Sequence, residues 1–134
     1  MADDIDKMAE NLQEEVFEGF SKKFMEEALN PHNVGMIENP DTQARITGIC
    51  GDTIEMYLTI KDEKVEDIKF TTDGCGSTLA CASYVTRNAK GKTIEDAFLM
   101  KPESVDEYFE GLPQENKHCA KLAIVTLRAA LDKL

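Results

Sequence analysis

The chain has 134 residues, 42% of them hydrophobic and 31% charged, which suits one compact domain with a modest core over residues 1–134 and leaves no room for a second catalytic unit. A formal net charge of -11 argues against nucleic acid, whose phosphates are bound by clustered Lys and Arg, and against an anionic membrane surface. No stretch approaches a bilayer-spanning length, and the first residues lack the basic-then-apolar order of a secretion signal. A cytoplasmic location is therefore expected, with the four cysteines as thiols serving metal, sulfur or redox chemistry rather than as two disulfides.

From Ile5 to Leu29, Ile5, Met8, Leu12, Val16, Phe20, Phe24 and Ala28 recur every three or four positions, which predicts one apolar helix stripe with Glu and Lys on the other face. Gly19 interrupts the run, so a bend or two helices are expected there, residues 1–19 forming a helical N-terminal extension. Asn30 to Pro40, with two prolines and Gly35, reads as an irregular loop.

Strands follow. Ile54, Met56, Leu58 and Ile60 alternate with Thr53, Glu55, Tyr57 and Thr59, which predicts a strand with one buried face. Gln43–Ile49 and Val65–Thr72 supply its neighbours, the latter across a turn at Asp62–Lys64, giving an antiparallel meander.

Helices complete the chain. Ser77 is expected to cap one that runs to about Lys90 and stops at Gly91. Thr93 opens a short helix with Glu95 and Asp96 in its first turn, and Ser104–Phe109 is another. Pro113 and Asn116 introduce the last helix, whose apolar residues from Leu122 to Leu134 leave only a narrow polar strip. One helix, three strands and then helices give an α+β sandwich in which a three-stranded antiparallel sheet packs against several helices.

The chemistry-bearing residues sit where these elements meet. Cys50 lies in the turn between two strands, Cys75 just before a helix, and Cys119 in the first turn of another. A helix N-terminus carries partial positive charge, so Cys75 and Cys119 are expected to be thiolate-like, the form that binds iron or zinc and attacks sulfur. Gly74 and Gly76 flank Cys75 and Gly51 follows Cys50, positions where the backbone can take unusual dihedrals and bring N–H groups near a ligand.

A single cysteine is usually a small buried hydrophobe; three at glycines or helix starts favour a shared site. Asp52 is either a turn aspartate or a hard oxygen donor among soft sulfurs, and His118 either a surface histidine or an imidazole ligand. His32, alone in its loop, reads as an ordinary loop residue. Cys81 reads as a structural thiol, with a spare sulfur relay as the lesser alternative.

Asn30-Pro31-His32-Asn33-Val34-Gly35, Cys50-Gly51-Asp52, Gly74-Cys75-Gly76-Ser77 and Lys117-His118-Cys119 resemble, in order and spacing, the IscU/NifU N-terminal-type iron-sulfur cluster assembly scaffolds, from about residue 20 to the end. The resemblance implies an IscU/SufE-like sandwich and a non-enzymatic scaffold. Such a protein receives persulfide sulfur from a cysteine desulfurase, builds a [2Fe-2S] cluster and delivers it to apo iron-sulfur client proteins. It implies Cys50, Cys75 and Cys119 as thiolate ligands and persulfide acceptors, Asp52 as the ligand that keeps the cluster labile, His118 as a further candidate ligand, and zinc at the same residues in the apo form. Two helix N-termini and Lys117 would offset the cluster's negative charge.

Departures from the family pattern are equally specific. Where common bacterial scaffolds carry the Leu-Pro-Pro-Val-Lys segment read by an Hsp70-type chaperone, this chain has Leu112-Pro113-Gln114-Glu115-Asn116, so that chaperone is not an expected partner. Phe20 stands where many relatives have tyrosine, and Cys81 where a small residue such as serine is usual. A zinc-containing sulfur-transfer protein acting with a desulfurase would use the same residues. A thiol-disulfide enzyme is disfavoured by the lack of a Cys-x-x-Cys pair.

Overall fold

The computed structural model describes residues 19–134. Most of the expected N-terminal extension, residues 1–18, lies outside the described residues. The elements in chain order are α1 (Lys22–Leu29), β1 (Thr42–Thr47), β2 (Thr53–Lys61), β3 (Lys64–Thr72), α2 (Gly76–Ala89), α3 (Ile94–Phe98), α4 (Pro102–Tyr108), a 3-10 turn (Gln114–Asn116) and α5 (Lys117–Asp132).

Helix α1 starts where the sequence breaks. Gly19 has φ +92°, in the left-handed region that favours glycine, and the Ser21 hydroxyl then accepts from Phe24 N–H at 3.1 Å as an N-cap. Phe20 stacks on Phe24 with centroids 4.1 Å apart, and Phe24 meets Phe109 edge-on at 5.4 Å. Full burial of a side chain such as Phe24 contributes about 1.5–3 kcal/mol.

The sheet is the expected antiparallel meander, in the order β1-β2-β3. Ile54, Met56 and Leu58 are wholly buried, but the pairing shifts between Thr59 and Ile60, and Ile60 is only half-buried. Tyr57 breaks the simple alternation: it is buried too, its hydroxyl donating to Glu55 Oε2. Strand β1 stops at Thr47 rather than Ile49, because Gly48 N–H turns to the Asp52 carbonyl at 2.8 Å. Ile49 is thereby left 96% exposed at the tip.

On the buried face, α5 packs against β1 and β2, α2 packs against β3 and α5, and α1 lies on α2. Ala80, Ala82, Val85 and Ala89 of α2 and Ala123, Ile124, Leu127 and Ala130 of α5 are wholly buried. Cys81 shares that interior and is closed to solvent, as a structural thiol; burial, with the nearby Cys119, Cys75 and Asp106, pushes its pKa well up. The helix is capped two residues earlier than expected: Cys75 is the N-cap residue, with extended backbone, while Ser77 is buried inside the first turn. Helix α3 is capped by Thr93 as expected, and α4 begins at Pro102, whose missing N–H costs nothing in the first turn.

Glu27 overturns its sequence reading as part of the polar face of its helix, for it is buried between α1 and α2. Its carboxylate accepts from Ser83 Oγ at 2.5 Å and Arg87 Nη2 at 2.7 Å, and His32 Nδ1 lies 3.2 Å away. His32 N–H donates to Ser83 Oγ at 2.7 Å, so the residue read as an ordinary loop histidine pins that loop to α2. Burial alone would raise the Glu27 pKa; hydrogen bonds from Arg87 and Ser83, the Arg87 charge and His32 outweigh it and hold the carboxyl below its usual value of 4.5.

A depressed carboxyl contributes stability above its unfolded pKa and loses it as pH falls through the folded one. Glu27→Ala is therefore expected to cost about 2 kcal/mol in urea unfolding at pH 7, since Ser83 and Arg87 lose their partner. It should also flatten the loss of stability between neutral and acid pH. Equal unfolding free energies and equal acid slopes in variant and parent would show that the network contributes nothing.

Candidate thiol and carboxylate site

Three chain segments end side by side: the β1–β2 turn, the β3–α2 junction and the start of α5. Backbone and short side chains tie the first two together. Thr53 N–H donates to Asp73 Oδ1 at 2.8 Å, Thr72 Oγ1 donates to the Thr53 carbonyl at 2.6 Å, and Gly74 N–H donates to Thr72 Oγ1 at 3.0 Å. The same turn rests on α5, for a Cβ built at Gly48 would lie 3.2 Å from Leu122 Cδ2.

Thr78, in the first turn of α2 and wholly buried, sits among the candidate ligands. Its Oγ1 donates to Asp52 Oδ2 at 2.7 Å, lies 3.5 Å from Cys119 Sγ and 3.9 Å from Cys75 Sγ. His118 Nε2 is 3.6 Å from Cys119 Sγ. Asp52, Cys75, His118 and Cys119 are thus gathered at one place. Cys50 stands outside this knot, exposed at the turn, yet near enough that its charge acts on Cys119. Among the described residues, no three His, Cys, Asp or Glu side chains converge tightly enough to hold a metal ion as they stand.

Two expectations about the site need correction. Cys119 is not an activated thiol at a helix start: burial pushes its pKa up, and Cys75 and Cys50 push the same way, against the Ser77 and Thr78 hydroxyls. Of those two hydroxyls, that of Thr78 meets hydrogen-bond geometry with the sulfur, at 3.5 Å, and Ser77 Oγ does not. Cys119 is 1% exposed, and desolvation of its thiolate is the largest cause of the rise. Lys117, expected to offset charge at the site, instead has its ammonium 3.7 Å from Asp106 Oδ2.

The glycines divide by role. Gly51 has φ +91° and lets the turn close. Neither glycine beside Cys75 takes a left-handed conformation. Gly74 serves close approach, since a Cβ there would lie 2.8 Å from Thr78 Cβ and 2.9 Å from Asp52 Oδ2, whereas at Gly76 a Cβ meets open space. Sequence reasoning missed Thr78 and the steric role of Gly74. The available signal was the i, i+3 spacing from Cys75 to Thr78, which puts both on one face of a helix.

The fold is the α+β sandwich that the element pattern predicted, and its candidate site joins thiols, a carboxylate and an imidazole at one end of the sheet. Residues 19–134 match the family described as NifU-like N terminal domain, and the chain belongs to that family. It is 42% identical over 113 residues to the iron-sulfur cluster assembly scaffold protein IscU 1 of Archaeoglobus fulgidus, across 84% of this chain and 74% of that protein. To the scaffold protein IscU of Escherichia coli it is 36% identical over 117 residues, across 84% of this chain and 91% of that one.

The fold is also that of solved structures. A putative iron-sulfur cluster assembly scaffold protein for the SUF system from Fervidobacterium islandicum superposes with a TM-score of 0.71 at 22% identity, covering 83% of this chain and 95% of that one. A NifU-like protein (N-terminal) from Brucella abortus gives 0.70 at 23% identity, covering 84% and 92%. Among the described residues, no helix is long and apolar enough to cross a membrane.

Gly74→Ala is expected to lower stability by about 1–3 kcal/mol, because the new methyl must displace Thr78 or the Asp52 carboxylate. Gly76→Ala, facing open space at the first turn of α2, should be neutral or slightly stabilising. Thermal unfolding of the two variants checks this: equal midpoints would remove the steric role given to Gly74.

Proposed function

We propose that this chain is an iron-sulfur cluster assembly scaffold. It takes sulfur from a cysteine desulfurase, builds a labile [2Fe-2S] cluster on Cys50, Cys75, Cys119 and Asp52, with His118 as a further ligand, and transfers it to apo-proteins. The observation that carries the reading is the meeting of Asp52, Cys75 and Cys119 around the Thr78 hydroxyl, with Cys50 on the turn beside them. The relatives named as scaffold proteins support it.

The donor set fits the cargo. Thiolates are soft donors suited to iron-sulfur clusters and zinc, and a single carboxylate among them is a weaker, exchangeable ligand. All four cysteines among the described residues are free thiols, so none is committed to a disulfide. The helices carrying Cys75 and Cys119 end their N-termini at the site, where partial positive charge offsets the dianion formed by a [2Fe-2S] core with three thiolates and one carboxylate.

Sulfur arrives by exchange. The thiolate of an accepting cysteine attacks the terminal sulfur of the desulfurase persulfide, a new S–S bond forms, the old one breaks, and the desulfurase cysteine leaves as thiolate. Conversion of that sulfur to sulfide takes electrons from an external donor. Cys119 enters this chemistry only after losing a proton that its burial holds in place, so metal or sulfur loading displaces protons. The chain acts in the cytoplasm as a single scaffold domain, with residues 1–19 as its extension.

Anaerobic reconstitution with iron and sulfide should yield a coloured cluster, followed by visible absorption, that moves to an apo-ferredoxin. A protein that keeps zinc and persulfide but forms no transferable cluster is instead the zinc-containing sulfur-transfer protein. Asp52→Ala should lengthen the cluster's lifetime roughly tenfold, because an exchangeable oxygen ligand and its route for solvent attack are gone. Decay at the parent's rate would remove Asp52 from that role.

A further inference from the structure

Among the described residues, Thr78 is the one whose hydroxyl contacts several of the proposed ligands at once, while being none of them. It is 0% exposed, whereas Cys75 is exposed and Asp52 half-buried, so cargo reaches the ligands from the solvent side and Thr78 holds them from beneath. Its position is fixed by the helix. Thr78 lies in the first turn of α2, where Leu79 N–H bonds the Cys75 carbonyl at 3.0 Å. Threonine is β-branched and restricted at χ1, and in the rotamer seen here its hydroxyl is held by the bond to Asp52.

A hydroxyl has one hydrogen to donate. The 2.7 Å bond to Asp52 Oδ2 is the short, charge-assisted one, and at 3.5 Å and 3.9 Å the Cys119 and Cys75 sulfurs are weaker partners. Asp52 follows Gly51 in a turn otherwise closed by Gly48 N–H to the Asp52 carbonyl and Gly51 N–H to the Gly48 carbonyl, both backbone bonds. Among the described residues, no other hydrogen bond to the Asp52 carboxylate is present. The direction of that carboxylate therefore depends on Thr78 and on the absence of a side chain at Gly74.

We propose that Thr78 is a positioning residue for metal loading: its hydroxyl aims the Asp52 carboxylate at the space beside Cys75 and Cys119. This rests on the reading of those three residues as ligands. A hydrogen-bonded partner behind a ligating carboxylate orients it, and removing such a partner costs roughly 10–100-fold in metal affinity. The rest of the family pattern reads the segment as Gly74-Cys75-Gly76-Ser77; the residue after it does the orienting here.

The test uses zinc alone, with dissociation constants from chelator competition. Thr78→Val keeps the shape and loses the hydroxyl, and is expected to weaken zinc binding about tenfold; Thr78→Ser is expected to restore it. In an Asp52→Ala background, Thr78→Val should have no further effect, because the hydroxyl acts through that carboxylate. If Thr78→Val folds poorly by circular dichroism, Thr78→Ala carries the same comparison.

A second readout is the reconstituted cluster. Its lifetime in Thr78→Val should lengthen toward that of Asp52→Ala, a direction that mere damage to the fold would not produce. Zinc binding equal to the parent's, or the same loss with and without Asp52, overturns the proposal. A parent that binds zinc with the Thr78 dependence described but forms no transferable cluster overturns the scaffold reading and leaves this one standing.

Discussion

The contact between α2 and α5 is the constraint from which the site follows. The two helices lie together on one face of the three-stranded sheet, and small side chains at such a contact bring the axes closer. Ala80, Ala82 and Ala89 of α2 and Ala120, Ala123 and Ala130 of α5 are all buried, as are Phe70, Met56 and Leu58 of the sheet. With both helices held on the same face, their N-termini finish at the same end of the sheet, beside the β1–β2 turn. Residues as distant in sequence as Asp52, Cys75 and Cys119 meet because of that packing.

The proposed site works against itself electrostatically, which suits the transient load proposed for it. A thiol buried beside other thiols, as Cys119 is, resists ionisation, yet metal and sulfur both require the thiolate. Helix N-termini help the charged form and desolvation opposes it. The carboxylate beside the thiols is that of Asp52, a harder donor than a fourth thiolate would be. Cys50 is carried on an exposed turn whose tip residue Ile49 packs against almost nothing. Asp52, Cys75 and Cys119 are gathered around the Thr78 hydroxyl, and Cys50 lies outside that group.

The far side of the molecule is organised by a different polar group. Glu27, with Ser83, Arg87 and His32, joins α1, the loop after it and α2, and Arg87 lies over the rings of Tyr84 and Tyr108 at 5.6 Å each. The network ties α2 to α1 and to the loop after it. Cys75 and Thr78 lie at the N-terminal end of that helix, and Arg87 in its last turn.

Periodicity was enough to determine the element order, the antiparallel meander and the buried alternation of Ile54, Met56 and Leu58, because helix and strand periods are written in consecutive residues. The placement of Cys50 in a turn, Cys75 at a helix start and Cys119 in a first turn was legible for the same reason. Burial was not. Glu27 reads as solvated until Arg87 and Ser83, about sixty residues on, are folded against it; Cys119 reads as activated until its helix start is covered. Ser77 reads as a cap, but the chain enters α2 two residues earlier, at Cys75. Thr78 and Gly74 acquire meaning only through distances to Asp52. Local pattern decides which elements form; solvation and contact between remote segments decide what each side chain becomes, and only the tertiary structure holds that information.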